Sequence, residues 1–156
     1  MKFSLLSLLT LFATLTSSTP LPTDSTPTPT SSQDIVQELW TIHGLYRLCN
    51  PFDTICTWNF QIHNNVGRYA PVPCSLPVVE NKEQGIPASR NHVENYKCGP
   101  FDLSSGWSGE FGEEKGFTTL TVADVRARLV VQCAFADGQV GGGKVQGDLV
   151  LVPRGW

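Results

Sequence analysis

Charged residues are scarce in this chain. Only 16% of its 156 residues are Asp, Glu, Lys or Arg, and 11 basic against 14 acidic residues leave a net charge of −3. The Lys and Arg residues form no cluster or stripe. Binding to nucleic acid phosphates or to an anionic membrane surface requires clustered cations. The composition therefore predicts that neither nucleic acid nor a membrane is a partner.

A recognisable metal site is also missing. The three histidines, His43, His63 and His92, are isolated in the sequence, and no two of them have the spacing of metal ligands. Gly141 to Gly143 is not a phosphate-binding loop, because no Lys-Ser/Thr pair follows it. We therefore expect no metal and no cofactor.

No catalytic motif is complete. Ser108 lies in a near match to the Gly-x-Ser-x-Gly elbow, but strand-like alternation continues through it, whereas the elbow needs a strand that turns sharply into a helix. Glu113 and Glu114 could supply a carboxylate pair, although their position in a Gly-flanked turn favours a solvated role. The sequence predicts a protein that is not an enzyme.

Long apolar runs are absent except at the N-terminus. Met1 and Lys2 precede an apolar stretch over residues 5–15, and small residues follow at Ser17 and Ser18. This stretch is shorter than the roughly 20 residues of a membrane span. It predicts a secretory signal peptide over residues 1–18 and an extracellular protein. Residues 19–34 are mostly Ser, Thr and Pro, which predicts a disordered arm that serves as a spacer or carries O-glycans.

Residues 35–156 contain short alternating segments and no convincing amphipathic helix. Alternation over residues 56–63 and 127–135, and on both sides of a polar turn at 112–116, predicts strands. In the first strand, Trp40 and Ile42 share one face, and Leu45 and Arg47 take the other. Residues 81–95 are polar and predict a long exposed loop. We expect a single all-β domain: a compact, mostly antiparallel, disulfide-braced β-barrel, with a sandwich-like arrangement as the alternative.

Five cysteines allow about fifteen arrangements of two disulfides. We favour a local bridge between Cys49 and Cys56, and a second between Cys74 and Cys98 across the predicted long loop. Cys133 is left over on the apolar face of its strand. It is interpreted as a buried free thiol, with an intermolecular disulfide or a reactive thiol as alternatives.

The aromatic residues are the remaining candidate site. Trp40, Trp58, Phe60 and Trp107 occupy alternating strand positions, which first indicates a role in the core. If the barrel has an open mouth, the same side chains could line a pocket for a small ligand.

Two cysteine-containing blocks carry a resemblance. The chain reads CNPFDTICTWNFQIHN over residues 49–64 and CGPFDLSSGWSGEFG over residues 98–112, followed by GFTTLTV. These blocks resemble small secreted fungal proteins similar to the Alternaria major allergen and to hypersensitive-response-inducing protein elicitors. The resemblance implies a compact, mostly antiparallel β-barrel. Cys74 and Cys98 match the family cysteines that bridge two strands, and Cys49 and Cys56 match the extra pair of the elicitor-like group.

The resulting hypothesis is a secreted fungal effector or elicitor that acts without catalysis. It would be recognised by a plant extracellular protein or receptor through residues 81–95 and 112–116. A barrel that binds a small aromatic ligand, such as a plant phenolic, is the first alternative. A structural protein associated with the cell wall is the second.

Overall fold

The computed structural model describes residues 37–156, so the predicted signal peptide and Ser/Thr/Pro-rich arm lie outside the described part of the chain. The strands are β1 (Trp40–Cys49), β2 (Ile55–Asn64), β3 (Val72–Val79), β4 (Val93–Cys98), β5 (Phe101–Ser108), β6 (Phe117–Asp124), β7 (Leu129–Ala136), β8 (Leu149–Leu151) and β9 (Arg154–Gly155). One short helix, α1 (Asp137–Val140), and the 3₁₀ turns Ala88–Arg90, Glu113–Lys115 and Gly141–Gly143 join them. No helix within residues 37–156 is long and apolar enough to cross a membrane.

The strands form two antiparallel sheets. The four-stranded sheet has the order β3-β2-β1-β8, and the five-stranded sheet has the order β4-β5-β6-β7-β9. The all-β, mostly antiparallel fold predicted from the sequence is confirmed. It takes the sandwich-like form, because the two sheets do not close into one hydrogen-bonded barrel.

Alternate residues of the strands face each other between the two sheets and form the core. Trp40, Ile42, Leu76, Leu103 and Leu120 are fully buried there. Trp40 meets Phe101 of the opposite sheet edge-to-face, with ring centroids 5.3 Å apart. The Cys74–Cys98 disulfide joins β3 of one sheet to β4 of the other. Apolar packing and one covalent bridge thus hold the two sheets together.

The first strand differs from the sequence prediction in one respect. Its pairing with β2 is interrupted between His43 and Tyr46, and Gly44 adopts a positive φ of 59°. Such a bulge reverses the faces of the residues that follow it. Leu45 and Arg47, which simple alternation places outside, are therefore buried, while Leu48 is exposed.

Two further boundaries need correction. The predicted loop at 81–95 contains a β-bridge between Asn81 and Ile86 and the 3₁₀ turn Ala88–Arg90, and β4 already begins at Val93. The strand predicted to continue through Ser108 ends at that residue, because a turn closes with a hydrogen bond from Gly112 N to Gly109 O. The segment at 81–95 is therefore partly regular structure rather than an open loop. The segment after Ser108 is a closed turn rather than a continuing strand.

Candidate recognition site

Three connections between strands meet at one end of the sandwich. They are the β1–β2 loop (residues 50–54), the β3–β4 connection (residues 80–92) and the β5–β6 turn (residues 109–116), which together we call the loop end. The two segments that the sequence singles out, 81–95 and 112–116, both contribute to it. Side chains from each connection bind the next.

The β1–β2 loop is constrained by a disulfide at its base and by a side-chain hydrogen bond within it. Cys49 and Cys56 are direct register partners on the two strands and form a disulfide with 3.9 Å between their Cα atoms. Within the loop, the Asn50 side-chain oxygen accepts a hydrogen bond from Thr54 N at 2.8 Å. Phe52 lies at the tip and is 85% exposed. This loop therefore presents a large apolar side chain to solvent on a constrained support.

Asp53 connects this loop to the β3–β4 connection. Its carbonyl accepts a hydrogen bond from Ala88 N at 2.8 Å, and its carboxylate accepts bonds from the backbone N–H and the hydroxyl of Ser89. Asp53 has a φ of 51°, a left-handed conformation that Asp tolerates better than most residues. One residue thereby anchors the 3₁₀ turn Ala88–Arg90.

Arg90 extends the connection to the β5–β6 turn. Its guanidinium lies over the ring of Trp107, 5.0 Å from the ring centroid, and its NH1 atom lies 3.1 Å from Glu113 Oε1. Both contacts are exposed to solvent, so each contributes modestly to stability. Their effect is geometric, because they join the two segments predicted from the sequence into one surface.

Trp107 is the centre of this end rather than a core residue. It is half-buried, and its Nε1–H donates to Asp137 Oδ2 at 2.8 Å. Gly109 and Gly116 lie against the same ring, and a Cβ atom on Gly116 would come within 2.8 Å of it. Two glycines therefore let the turn close around the indole.

A buried arginine lies beneath these contacts. Arg47 donates through NH1 to Thr118 Oγ1 at 2.9 Å and to the carbonyl of Ser89 at 3.3 Å, and its NH2 lies 4.0 Å from Asp137 Oδ1. Its guanidinium also lies 5.3 Å from the ring centroid of Trp58. Burial lowers the pKa of Arg47, and the charge of Asp137 opposes that shift. The Nε atom has no hydrogen-bond partner among residues 37–156.

The β5–β6 turn carries a second exposed aromatic residue. Phe111 is 67% exposed and stacks on Phe117, with ring centroids 6.1 Å apart. With Phe52 it gives the loop end two solvent-facing phenyl rings, on connections that also carry the charged side chains of Arg90 and Glu113. Aromatic anchors in a polar surround are characteristic of protein recognition surfaces.

The other aromatic residues named from the sequence lie elsewhere. Trp40 and Trp58 are fully buried, and Phe60 is 6% exposed. The Trp58 ring lies 5.8 Å from that of Phe135, and its Nε1–H donates to Ser105 Oγ. These side chains fill the interior between the sheets.

The cysteines are arranged as two disulfides and one free thiol. The pairs are Cys49–Cys56 and Cys74–Cys98, as expected. Cys133 is free and half-buried, and burial raises the pKa of its thiol to about 12. A thiol so rarely ionised is a poor nucleophile. Asp53 lies close to the sulfurs of Cys49 and Cys56. The two sulfurs are bonded to each other in the disulfide, so neither is available as a thiolate ligand for a metal ion.

Sequence reasoning missed the polar residues that organise the loop end: Arg47, Arg90 and Asp137. Simple alternation puts Arg47 on the face opposite Trp40 and Ile42, because it takes no account of the bulge. Gly44 within an otherwise regular strand was the available signal, since a glycine there often marks a bulge. The contacts of Arg90 and Asp137 join distant segments, and nothing in their local sequence indicates them.

Comparison with known proteins identifies a matching family and a relative within it. A family model described as Effector TSP1 matches residues 41–153, which run from the second residue of β1 to the residue before β9. The protein named Effector TSP1 from Hypocrea virens (strain Gv29-8 / FGSC 10586) is 38% identical over 137 residues, covering 87% of this chain and 85% of that protein. The residues matched by the family model include all three connections of the loop end. The likeness to the Alternaria allergen and to hypersensitive-response elicitors stays a prediction.

Proposed function

The chain belongs to the Effector TSP1 family, a fungal effector family, and we propose that it is a secreted effector recognised by a plant extracellular protein through the loop end, without catalysis. The observation that carries this proposal is the joining of three connections into one surface. Asp53 holds the 3₁₀ turn Ala88–Arg90, and Arg90 reaches Glu113 of the next turn.

The chemistry of this surface supports a protein partner. Phe52 and Phe111 are the two exposed aromatic anchors, and their backbones are held by a disulfide and by the Trp107 contacts. The entropic cost of ordering these loops on binding is then small, because the loops are already constrained in the free protein. Arg90 and Glu113 supply charge-assisted hydrogen-bonding groups at the rim.

The experiment is infiltration of purified protein into leaves, with oxidative burst and cell death as readouts. Replacing residues 81–95 would delete the start of β4 and the partners of Asp53, so point substitutions are preferable. We expect Phe52→Ser and Phe111→Ser each to lower the response at least several-fold, and the double variant to abolish it. Both side chains are mostly exposed, so the thermal unfolding midpoint should change little, and more for Phe111→Ser, which loses the stacking on Phe117, than for Phe52→Ser.

Val125→Ser is the matched control, because Val125 is 52% exposed and lies between β6 and β7, at the other end of the sandwich. It should retain the full response. A double Phe52→Ser/Phe111→Ser variant as active as the unmodified protein would refute recognition through the loop end. A response from reduced, alkylated protein would show that the folded surface is not what the plant detects.

The alternatives have weaker support. A small-ligand barrel would use Trp40, Trp58 and Phe60, whose side chains are packed within the core. A role in the cell wall rests on residues 19–34, which lie outside the described residues.

A further inference from the structure

Two of the three histidines meet on the outer face of the four-stranded sheet. The ring centroids of His43, on β1, and His63, on β2, lie 6.3 Å apart with an angle of 31° between the ring planes. The register explains this proximity. Thr41 is opposite His63 and His43 is opposite Gln61, so the two histidines are diagonal neighbours on one face. The intervening Ile42 and Ile62 point into the core.

A carboxylate orients one of these rings. His43 Nδ1 lies 2.9 Å from Asp148 Oδ2. The pairing of Ile42 with Leu149 places Asp148, the residue just before β8, beside His43. A hydrogen bond from Nδ1–H to a carboxylate fixes the tautomer and leaves Nε2 free to bind a metal, an arrangement common to metal-ligating histidines.

The geometry suits a shared ion. Two imidazoles bound to one tetrahedral ion at about 2.0–2.1 Å have ring centroids roughly 5 Å apart. The observed 6.3 Å is therefore close enough for small side-chain rotations to bring both rings onto one ion. The His43 side chain is 38% exposed and His63 is exposed, so an ion can enter from solvent.

We propose that His43 and His63 bind one divalent transition-metal ion on the outer face of the four-stranded sheet, with Asp148 as a positioning residue. Imidazole ligands favour copper, zinc and nickel over calcium and magnesium, which require several oxygen ligands. Among the divalent ions copper should bind most tightly. Two protein ligands leave coordination positions open to water or to a ligand from a second molecule.

Calorimetric titration of the full secreted chain with Cu²⁺ in a non-coordinating buffer tests this proposal. We expect one ion per chain with an affinity in the micromolar range. His43→Gln and His63→Gln should each weaken binding at least tenfold, and the double variant should abolish it. Asp148→Ala should weaken binding about 10–100-fold, the range found when such an orienting group is removed.

The third histidine supplies the control. His92 is exposed in the β3–β4 connection, away from this sheet face, and His92→Gln should bind Cu²⁺ as the unmodified chain does. Thermal unfolding of each metal-free variant verifies that the fold is intact. Absence of saturable binding to the unmodified chain would overturn the proposal, as would equal losses from His92→Gln and His43→Gln.

Discussion

The interior between the sheets and the loop end are held together by different means. The interior relies on fully buried apolar side chains and on the Cys74–Cys98 disulfide that joins the two sheets. The loop end relies on Arg47, Asp53 and Asp137, and on the Cys49–Cys56 disulfide within a single hairpin. Apolar burial is non-directional, whereas hydrogen bonds fix orientation.

This difference implies a division of roles. The interior should determine how stable the protein is, because burial of apolar area is the dominant favourable term in folding. The loop end should determine where Phe52 and Phe111 are presented, at little gain in net stability. Substitutions in the two regions should therefore affect unfolding and recognition separately.

The largest effect on stability should come from Leu103→Ala. Leu103 is fully buried on β5, and truncating a buried leucine leaves a cavity that costs about 2–5 kcal/mol. Urea unfolding measures this loss, and Leu48→Ala, at a position 55% exposed, is the matched control with an expected cost of about 1 kcal/mol or less. The leaf response per folded molecule should be unchanged. If folded Leu103→Ala lost the leaf response, this division of roles would be wrong, because a change in the interior would then alter recognition at the loop end.

The interior is also the part that the sequence predicts best. Alternation in β2 places Cys56, Trp58, Phe60 and Ile62 on the buried face, because a strand with one buried face imposes a period of two. The same rule fails in β1 after Gly44, since one bulge reverses the faces and turns Arg47 inward. A period-two pattern alone does not reveal a bulge. The glycine within the strand has to be read as a sign that one is present.

A smaller effect, confined to the loop end, is expected from Gly116→Ala. Gly116 has a φ of −58°, which alanine adopts readily, so the cost is purely steric. Its Cβ would lie 2.6 Å from Asp137 Oδ2 and 2.8 Å from Trp107. We expect a loss of about 1–3 kcal/mol in urea unfolding and a weaker leaf response, because Trp107 must move.

Gly147→Ala is the control, since within residues 37–156 no heavy atom other than those of its chain neighbours lies within 4 Å of its added Cβ. It should leave both unfolding and the response unchanged. Equal behaviour of the two alanine variants would mean that the close fit around Trp107 does not position the turn.

The loop end could be predicted only in part. Polar composition and flanking glycines identified two of its segments, 81–95 and 112–116. Their connection through Arg90 and Glu113 depends on side chains separated by two strands, which no local pattern encodes. The same limit hid the proximity of His43 and His63, which only the register of β1 with β2 brings together.

The smallest effect on stability should come from Arg47→Met, which tests the division most directly. Burial lowers the pKa of Arg47, so its charged form bears a desolvation cost that methionine removes, while the methionine stem can still pack on Trp58. The loss of the two hydrogen bonds to Ser89 O and Thr118 Oγ1 opposes this gain, while Asp137, 40% exposed, stays solvated without its arginine partner. We therefore expect the free energy of unfolding to change by about 1 kcal/mol or less.

The loops should nevertheless loosen in this variant. Ser89 O and Thr118 Oγ1 lose their donor, so amide hydrogen exchange should accelerate across Ala88–Arg90, and the leaf response should fall. Arg68→Met is the control, because Arg68 is an exposed arginine paired with Glu38 and should affect none of these measurements. If Arg47→Met shows the same amide hydrogen exchange and the same leaf response as the unmodified chain, Asp53 alone holds the 3₁₀ turn. The buried arginine then has no part in presenting the surface.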